Sequence, residues 1–179
     1  MKFRKMMLTL VAVLAASVTF AGNTSELRMF ITQFFSQITM MISYAEDEDA
    51  PEVVQLATVT KALKAGLLQY DTELTAGQLS EQGKIIDNAF TQIPTILNKI
   101  QTSSNEIMDE LAPVVGQLTT AVINNQTKVP AAQVDQDIAL ALMMYFAEAK
   151  AEQEGSLLGR ASRVLQQEIQ SAFEGMMEE

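Results

Sequence analysis

The chain has no cysteine, no histidine and no tryptophan among its 179 residues. Each absence removes a class of chemistry. Without Cys no disulfide can staple the domain, so the fold depends on a buried apolar core, and a chain of this length can bury one. Without His, the Ser-His-Asp and Cys-His nucleophile systems are excluded. So are the common zinc sites, the Glu-x-x-His motif of di-iron bundles and a His-ligated haem. Gly and Pro number only 8 and 4, and there is neither a Gly-rich phosphate loop nor a run of period-two alternation. Basic residues are scarce too, with 12 Lys and Arg against 22 Asp and Glu.

What is present begins with "MKFRKMMLTLVAVLAASVTFAG". Lys2, Arg4 and Lys5 precede an apolar run from Leu8 to Phe20, and Thr19-Phe20-Ala21 offers small residues at the two positions read by signal peptidase. This resembles a Sec signal peptide of bacterial type, with cleavage expected after Ala21. No Cys follows the run, so it is not a lipoprotein signal, and the run is short for a spanning helix, which needs about 20 residues. The expected organisation is a leader over 1–21 and a single all-helical domain over 22–179. The leader holds three of the twelve basic residues and none of the acidic ones, so the remainder carries nine basic against twenty-two acidic residues, a net charge of −13. That balance argues against nucleic acid and against anionic membrane surfaces as partners.

The apolar pattern is helical almost everywhere. A first helix is expected over 25–45, with Asn23 and Glu26 spaced as a capping box. Its residues Leu27, Ile31, Phe34, Ile38, Met41 and Ala45 share one face, which Phe30, Phe35 and Ile42 widen. The stretch "MFITQFFSQITMMISYA", 29–45, has no charged residue in an otherwise acidic chain. A central bundle helix accounts for it best, and a helix docked on a second subunit comes next. Pro51 and Glu52 suit the start of a second helix over 51–72. From Leu79 to Leu118 apolar positions alternate by four and three, with Gly83 and Ser104 in the same register. Pro94 and the possible Ser103/Glu106 capping box divide this pattern into helices over 78–101 and 104–125, stacked end to end as a kinked rod in one arrangement. A fifth helix is expected over 131–154 and a sixth over 156–177. Sustained heptads joined by short turns predict an all-α antiparallel helical bundle with coiled-coil-like packing, or an elongated version of it.

Motifs that suggest chemistry have simpler readings. The acids Glu46 to Asp49 with Glu52 lack the ligand spacing and Gly of an EF-hand and read as a solvated linker that favours the next helix start. Carboxylate pairs such as Asp109/Glu110 and Asp135/Asp137 read as helix-surface charge, the latter at a helix N-terminus. Met pairs, including Met143/Met144, point about 100° apart on a helix, so a thioether copper site does not follow from their spacing. No catalytic, cofactor-binding or metal-binding residue is therefore expected, and no cofactor. Asn125-Gln126-Thr127 matches a glycosylation sequon, which in a bacterial protein normally means nothing.

The expected function is that of an exported, non-enzymatic helical-bundle protein, periplasmic or extracellular, acting through a protein partner or self-association. Its candidate interaction face is Met29, Phe30, Phe35, Met40, Met41 and Ile42, a charge-depleted surface of the kind found at interface cores. Two alternatives stand beside it. One is a bundle with an apolar cavity, lined by Met and Phe of the first and fifth helices, for a lipid-like ligand or unfolded clients. The other is a membrane-active protein that inserts its first helix, although membrane contact is not the expectation.

Overall fold

A computed structural model describes residues 25–99 and 104–154. The leader at 1–21, Asn23, Ser103 and the sixth expected helix lie outside the described residues. Within them all regular structure is helical, with five α-helices, one 3-10 turn and no strand. The helices are α1 (Glu26–Ser43), α2 (Pro51–Ala76), α3 (Glu81–Lys99), α4 (Ser104–Asn124) and α5 (Gln136–Glu154), with the 3-10 turn at Ala131–Gln133. The fold is compatible with a helical bundle.

The helix ends follow from local chemistry. Ser25 caps α1, its hydroxyl accepting the Arg28 N–H at 3.3 Å. Pro51 opens α2, and Gly77, at φ 71°, closes it. The Gly77 and Gln78 N–H groups donate to Leu74 O and Glu73 O, a left-handed Schellman ending that glycine adopts at no steric cost. This ending carries α2 four residues beyond the expected 72. Ser80 caps α3, accepting the Gly83 N–H at 3.0 Å, so that helix begins later than 78. Asp135 caps α5, its Oδ1 accepting the Asp137 and Ile138 N–H groups at 3.0 Å each. The expected single helix over 131–154 is thus a 3-10 turn, a cap and a shorter helix.

Pro94 and Pro113 each lie inside a helix and end neither. α3 and α4 form the most extensive helix–helix contact among the described residues, so they fold back on one another and do not continue as one rod. α2 approaches α4 closely at Gly66, where an added Cβ would stand 2.8 Å from the Val122 carbonyl carbon.

The centre is α5. Ile138, Ala139, every residue from Ala141 to Ala149, and Ala151 are buried. A helix buried on all sides needs neighbours on all sides, and α2, α3 and α4 pack on it directly. α1 reaches it through aromatic rings. Phe146 lies 5.2 Å from Phe30, 5.3 Å from Phe34, 5.9 Å from Phe35 and 6.1 Å from Phe90, centroid to centroid. Such ring pairs add about 0.5–1.5 kcal/mol each beyond burial.

α1, the expected central helix, is instead one-sided. Phe30, Ile31, Phe34, Phe35, Ile38 and Met41 are buried, while Thr32, Ser36, Thr39, Met40 and Ser43 are exposed. The width of its apolar stripe reflects the size of the rings that span the distance to α5. No described helix is long and apolar enough to cross a membrane.

Candidate functional site

A concavity opens where the start of α1, the end of α2, the middle of α3 and the end of α5 converge. It is a cleft of about 810 Å³. Leu27, Phe30, Leu74 and Phe90 supply apolar wall, and Glu26, Asp87, Thr91, Lys150 and Gln153 supply polar groups.

Its frame is set by two networks. In the first, Asp71 on α2 is almost fully buried. Its Oδ1 accepts the Ser25 hydroxyl at 2.6 Å, and its Oδ2 accepts Arg28 Nε at 3.0 Å. Arg28 Nη2 also donates to Thr72 Oγ1 at 2.9 Å. A buried carboxylate needs such partners, and here they fix the first turn of α1 to the last turns of α2. In the second network, the Tyr70 hydroxyl donates to Asp87 Oδ1 at 2.7 Å, tying α2 to α3. Burial, and then the Asp87 carboxylate, push the Tyr70 phenol well above its ordinary value. Tyr70 is therefore a protonated donor at neutral pH and not a nucleophile.

Phe90 joins the cleft to the core. Its ring stands 5.8 Å from Tyr70 and carries Lys150 Nζ 4.9 Å above its centroid, a cation–π contact. Below it, between Phe90, Pro94 and Ala147, the packing leaves a void of only about 10 Å³. The Phe and Met side chains of α1 and α5 mostly fill the interior themselves. Phe34, Phe35, Met143, Met144 and Phe146 are all buried, and the cleft of about 810 Å³ lies at the bundle end, with mixed walls.

A third network lies beside the α2–α3 turn. Glu73 Oε1 accepts the Ser80 N–H at 2.6 Å, and Oε2 accepts Asn125 Nδ2 at 2.9 Å. Asn125 also donates to Gly66 O at 3.4 Å and accepts the Ser80 hydroxyl at 3.2 Å. Burial by itself would raise the Glu73 carboxyl, but the bonds from Ser80 and Asn125 outweigh it and hold the group below its ordinary value.

The six residues of the expected interaction face separate in the structure. Phe30, Phe35 and Met41 are buried, Met29 and Ile42 are half-buried, and Met40 is 52% exposed. They do not form one outward surface. Among the described residues no group of three or more Asp or Glu side chains is arranged to hold a metal ion. The acids from Glu46 to Asp49 are exposed, and Asp47 Oδ1 accepts the Asp49 N–H at 3.1 Å within the turn.

Sequence reasoning passed over Asp71, Asp87, Glu73 and Asn125. Asp71 had one usable signal, a carboxylate immediately after an inward-facing Tyr in the register of α2. Asn125 had none, since a polar residue after a helix is ordinary.

No protein-family model, curated protein or solved structure matches this chain.

Proposed function

We propose that the chain is an exported, non-enzymatic helical protein that acts through contacts with another protein, its helices forming an antiparallel bundle with heptad-spaced positions packed as in a coiled coil. The observation that carries this reading is a set of large apolar side chains left in water by a fold whose core is otherwise closed. Met40, Tyr44, Val54, Leu74 and Ile85 are all more than two-fifths exposed, Tyr44 reaching 71%. Met40, Tyr44 and Val54 flank the α1–α2 turn, and Leu74 and Ile85 flank the α2–α3 turn; contiguous exposed apolar surface marks contact sites. The buried register positions Leu56, Leu63, Leu67, Ile86, Ile93, Leu97, Leu111 and Leu118 support the bundle.

The test has two parts. Fractionation of producing cells, followed by N-terminal sequencing, is expected to find the protein outside the cytoplasm with Gly22 first. A photo-crosslinking residue placed in turn at the five exposed positions is expected to give a discrete protein adduct from at least one of them. Adducts from none would end the reading.

A second reading rests on the cleft. Its volume lies within the range of small-molecule sites, roughly 300–1,000 Å³, and its walls suit an amphipathic ligand. Native mass spectrometry of protein purified from its source would show a bound ligand, lost on Phe90→Ala. A bare protein mass under gentle conditions would remove this alternative.

A further inference from the structure

The carboxylates around the cleft are not treated alike. Asp71, behind its wall, is met by the Ser25 hydroxyl and the Arg28 guanidinium. Asp87 and Glu26, which line the cleft itself, have no such cation. Asp87 Oδ1 accepts the Tyr70 hydroxyl at 2.7 Å, and its Oδ2 takes no hydrogen bond or ion pair among the described residues. Glu26 is exposed at the rim and makes no ion pair among them either. Lys150 lines the same cleft, yet its Nζ stands over the Phe90 ring, 4.9 Å from the centroid, and is bonded to neither carboxylate. Between these groups the wall is apolar and partly aromatic, with Phe30, Tyr70 and Phe90 contributing rings.

We infer that the cleft binds a small organic cation, an ammonium group on an apolar body, with Asp87 as its anchor. The inference rests on the reading of the cleft as a ligand site and names the ligand's chemistry. The bond from Tyr70 holds the Asp87 carboxylate in place before any ligand arrives, so little freedom is lost in using it. An ammonium would meet Oδ2, with Glu26 adding a second negative charge at the rim. The ring faces attract the same charge through their quadrupoles, and Phe90 already carries an ammonium, that of Lys150. Other ligand charges fit worse. An anionic amphiphile would face two carboxylates against one lysine. A neutral one would strip water from Asp87 and give it no partner. At longer range, 22 acidic residues against 12 basic ones draw cations toward the chain.

The probes are octyltrimethylammonium, octanoate and octanol, which share a tail and differ in charge. Each is titrated calorimetrically into the purified protein below its micelle concentration. The ammonium is expected to bind one to one, and the other two about tenfold more weakly or less, the scale of one charge-assisted contact. Asp87→Asn keeps an acceptor for the Tyr70 hydroxyl and removes the charge. It is expected to weaken the ammonium about tenfold and to leave octanol unchanged. Thr91 is exposed on the same wall, one turn after Asp87. Thr91→Arg sets a cation beside that carboxylate and is expected to abolish ammonium binding, with unchanged circular dichroism and melting showing that the fold is kept. A preference for octanoate or octanol would overturn the inference and leave the cleft as a ligand site of another kind. Binding of none of the three would defeat both. Ammonium binding indifferent to Asp87→Asn and to Thr91→Arg would place the cation elsewhere and overturn the inference as well.

Discussion

α1 buries Phe30, Phe34 and Phe35 on one side and leaves Thr32, Ser36 and Met40 in water, whereas α5 is buried on every side from Ala141 to Ala149. α1 carries charge only in its first turn, at Glu26 and Arg28, and none from Met29 to Ser43, whereas α5 contains Asp137, Glu148, Lys150, Glu152 and Glu154. Counting charges would order the two helices the other way round. The difference teaches that charge density along a helix does not report its depth. Small residues do so better. α5 places Ala at 139, 141, 147, 149 and 151, and these let α2, α3 and α4 approach it together. α1 carries three Phe within six positions and no Ala between Glu26 and Ser43, so it stands off and reaches inward with rings.

The largest test of this contrast is Phe146→Ala. It removes the ring that four other phenylalanines touch, and should cost about 3–5 kcal/mol, the usual range for Phe deletion in a core. Urea unfolding measures it, and a loss below about 1 kcal/mol would mean that α5 is not the centre. Thr60→Val is the next largest and has the opposite sign. α2 packs on both α1 and α5, and Thr60 places a buried hydroxyl without a partner among the described residues on its inward side. Replacing that hydroxyl with a methyl should raise stability by about 1 kcal/mol, read as a higher urea midpoint.

Much of this architecture was legible from spacing. Pro51, the start near Ser104 and the acids ahead of α5 follow from rules that act within one turn of helix. Most inward positions of α2, α3 and α4 follow from the four-three alternation, because burial on one side leaves a periodic trace. α5 leaves a weaker trace for the same reason, since a helix covered all round has no polar side to mark the period. The cleft and its networks were not legible. Arg28 and Asp71 are 43 residues apart, and Asn125 and Gly66 are 59 apart, and no local pattern records which distant helix end a polar side chain will meet. The spacing already sets Phe30, Phe35 and Met41 on the apolar side of α1, where the fold buries them, so grouping them with Met29, Met40 and Ile42 as one interaction face mixes two sides of the helix.

A smaller effect appears in the pH dependence. Glu73 titrates below its ordinary 4.5 in the folded chain. Its ionised form therefore adds stability that is present above the unfolded pKa and is lost as pH falls through the folded one. Tyr70 behaves in the opposite sense. Its folded pKa lies above the ordinary 10.0, so its contribution is complete below about pH 10 and is lost as pH rises through the folded value. Stability profiles of Glu73→Gln should flatten on the acid side, and those of Tyr70→Phe on the alkaline side. A change on the wrong side would contradict the assigned networks. The smallest expected effect is Ser36→Glu on the open face of α1, within about 0.5 kcal/mol as for most exposed positions. A large loss of stability, seen in the same urea series, would mean that the face is covered in the isolated chain.

Asn125 has a consequence for the order of events in folding. It gathers the Gly66 carbonyl, the Glu73 carboxylate and the Ser80 hydroxyl from the other side of two helices. Those bonds close loops of 45 to 59 residues, and loop closure carries an entropic penalty that must be met before a contact so distant in sequence stabilises anything. Local helix and hairpin formation can proceed without it. Asn125 is therefore a lock that engages after the helices have docked, and its removal should appear in kinetics as faster unfolding with an almost unchanged folding rate. A chevron for Asn125→Ala in which the folding arm moves instead would place this contact in the nucleus.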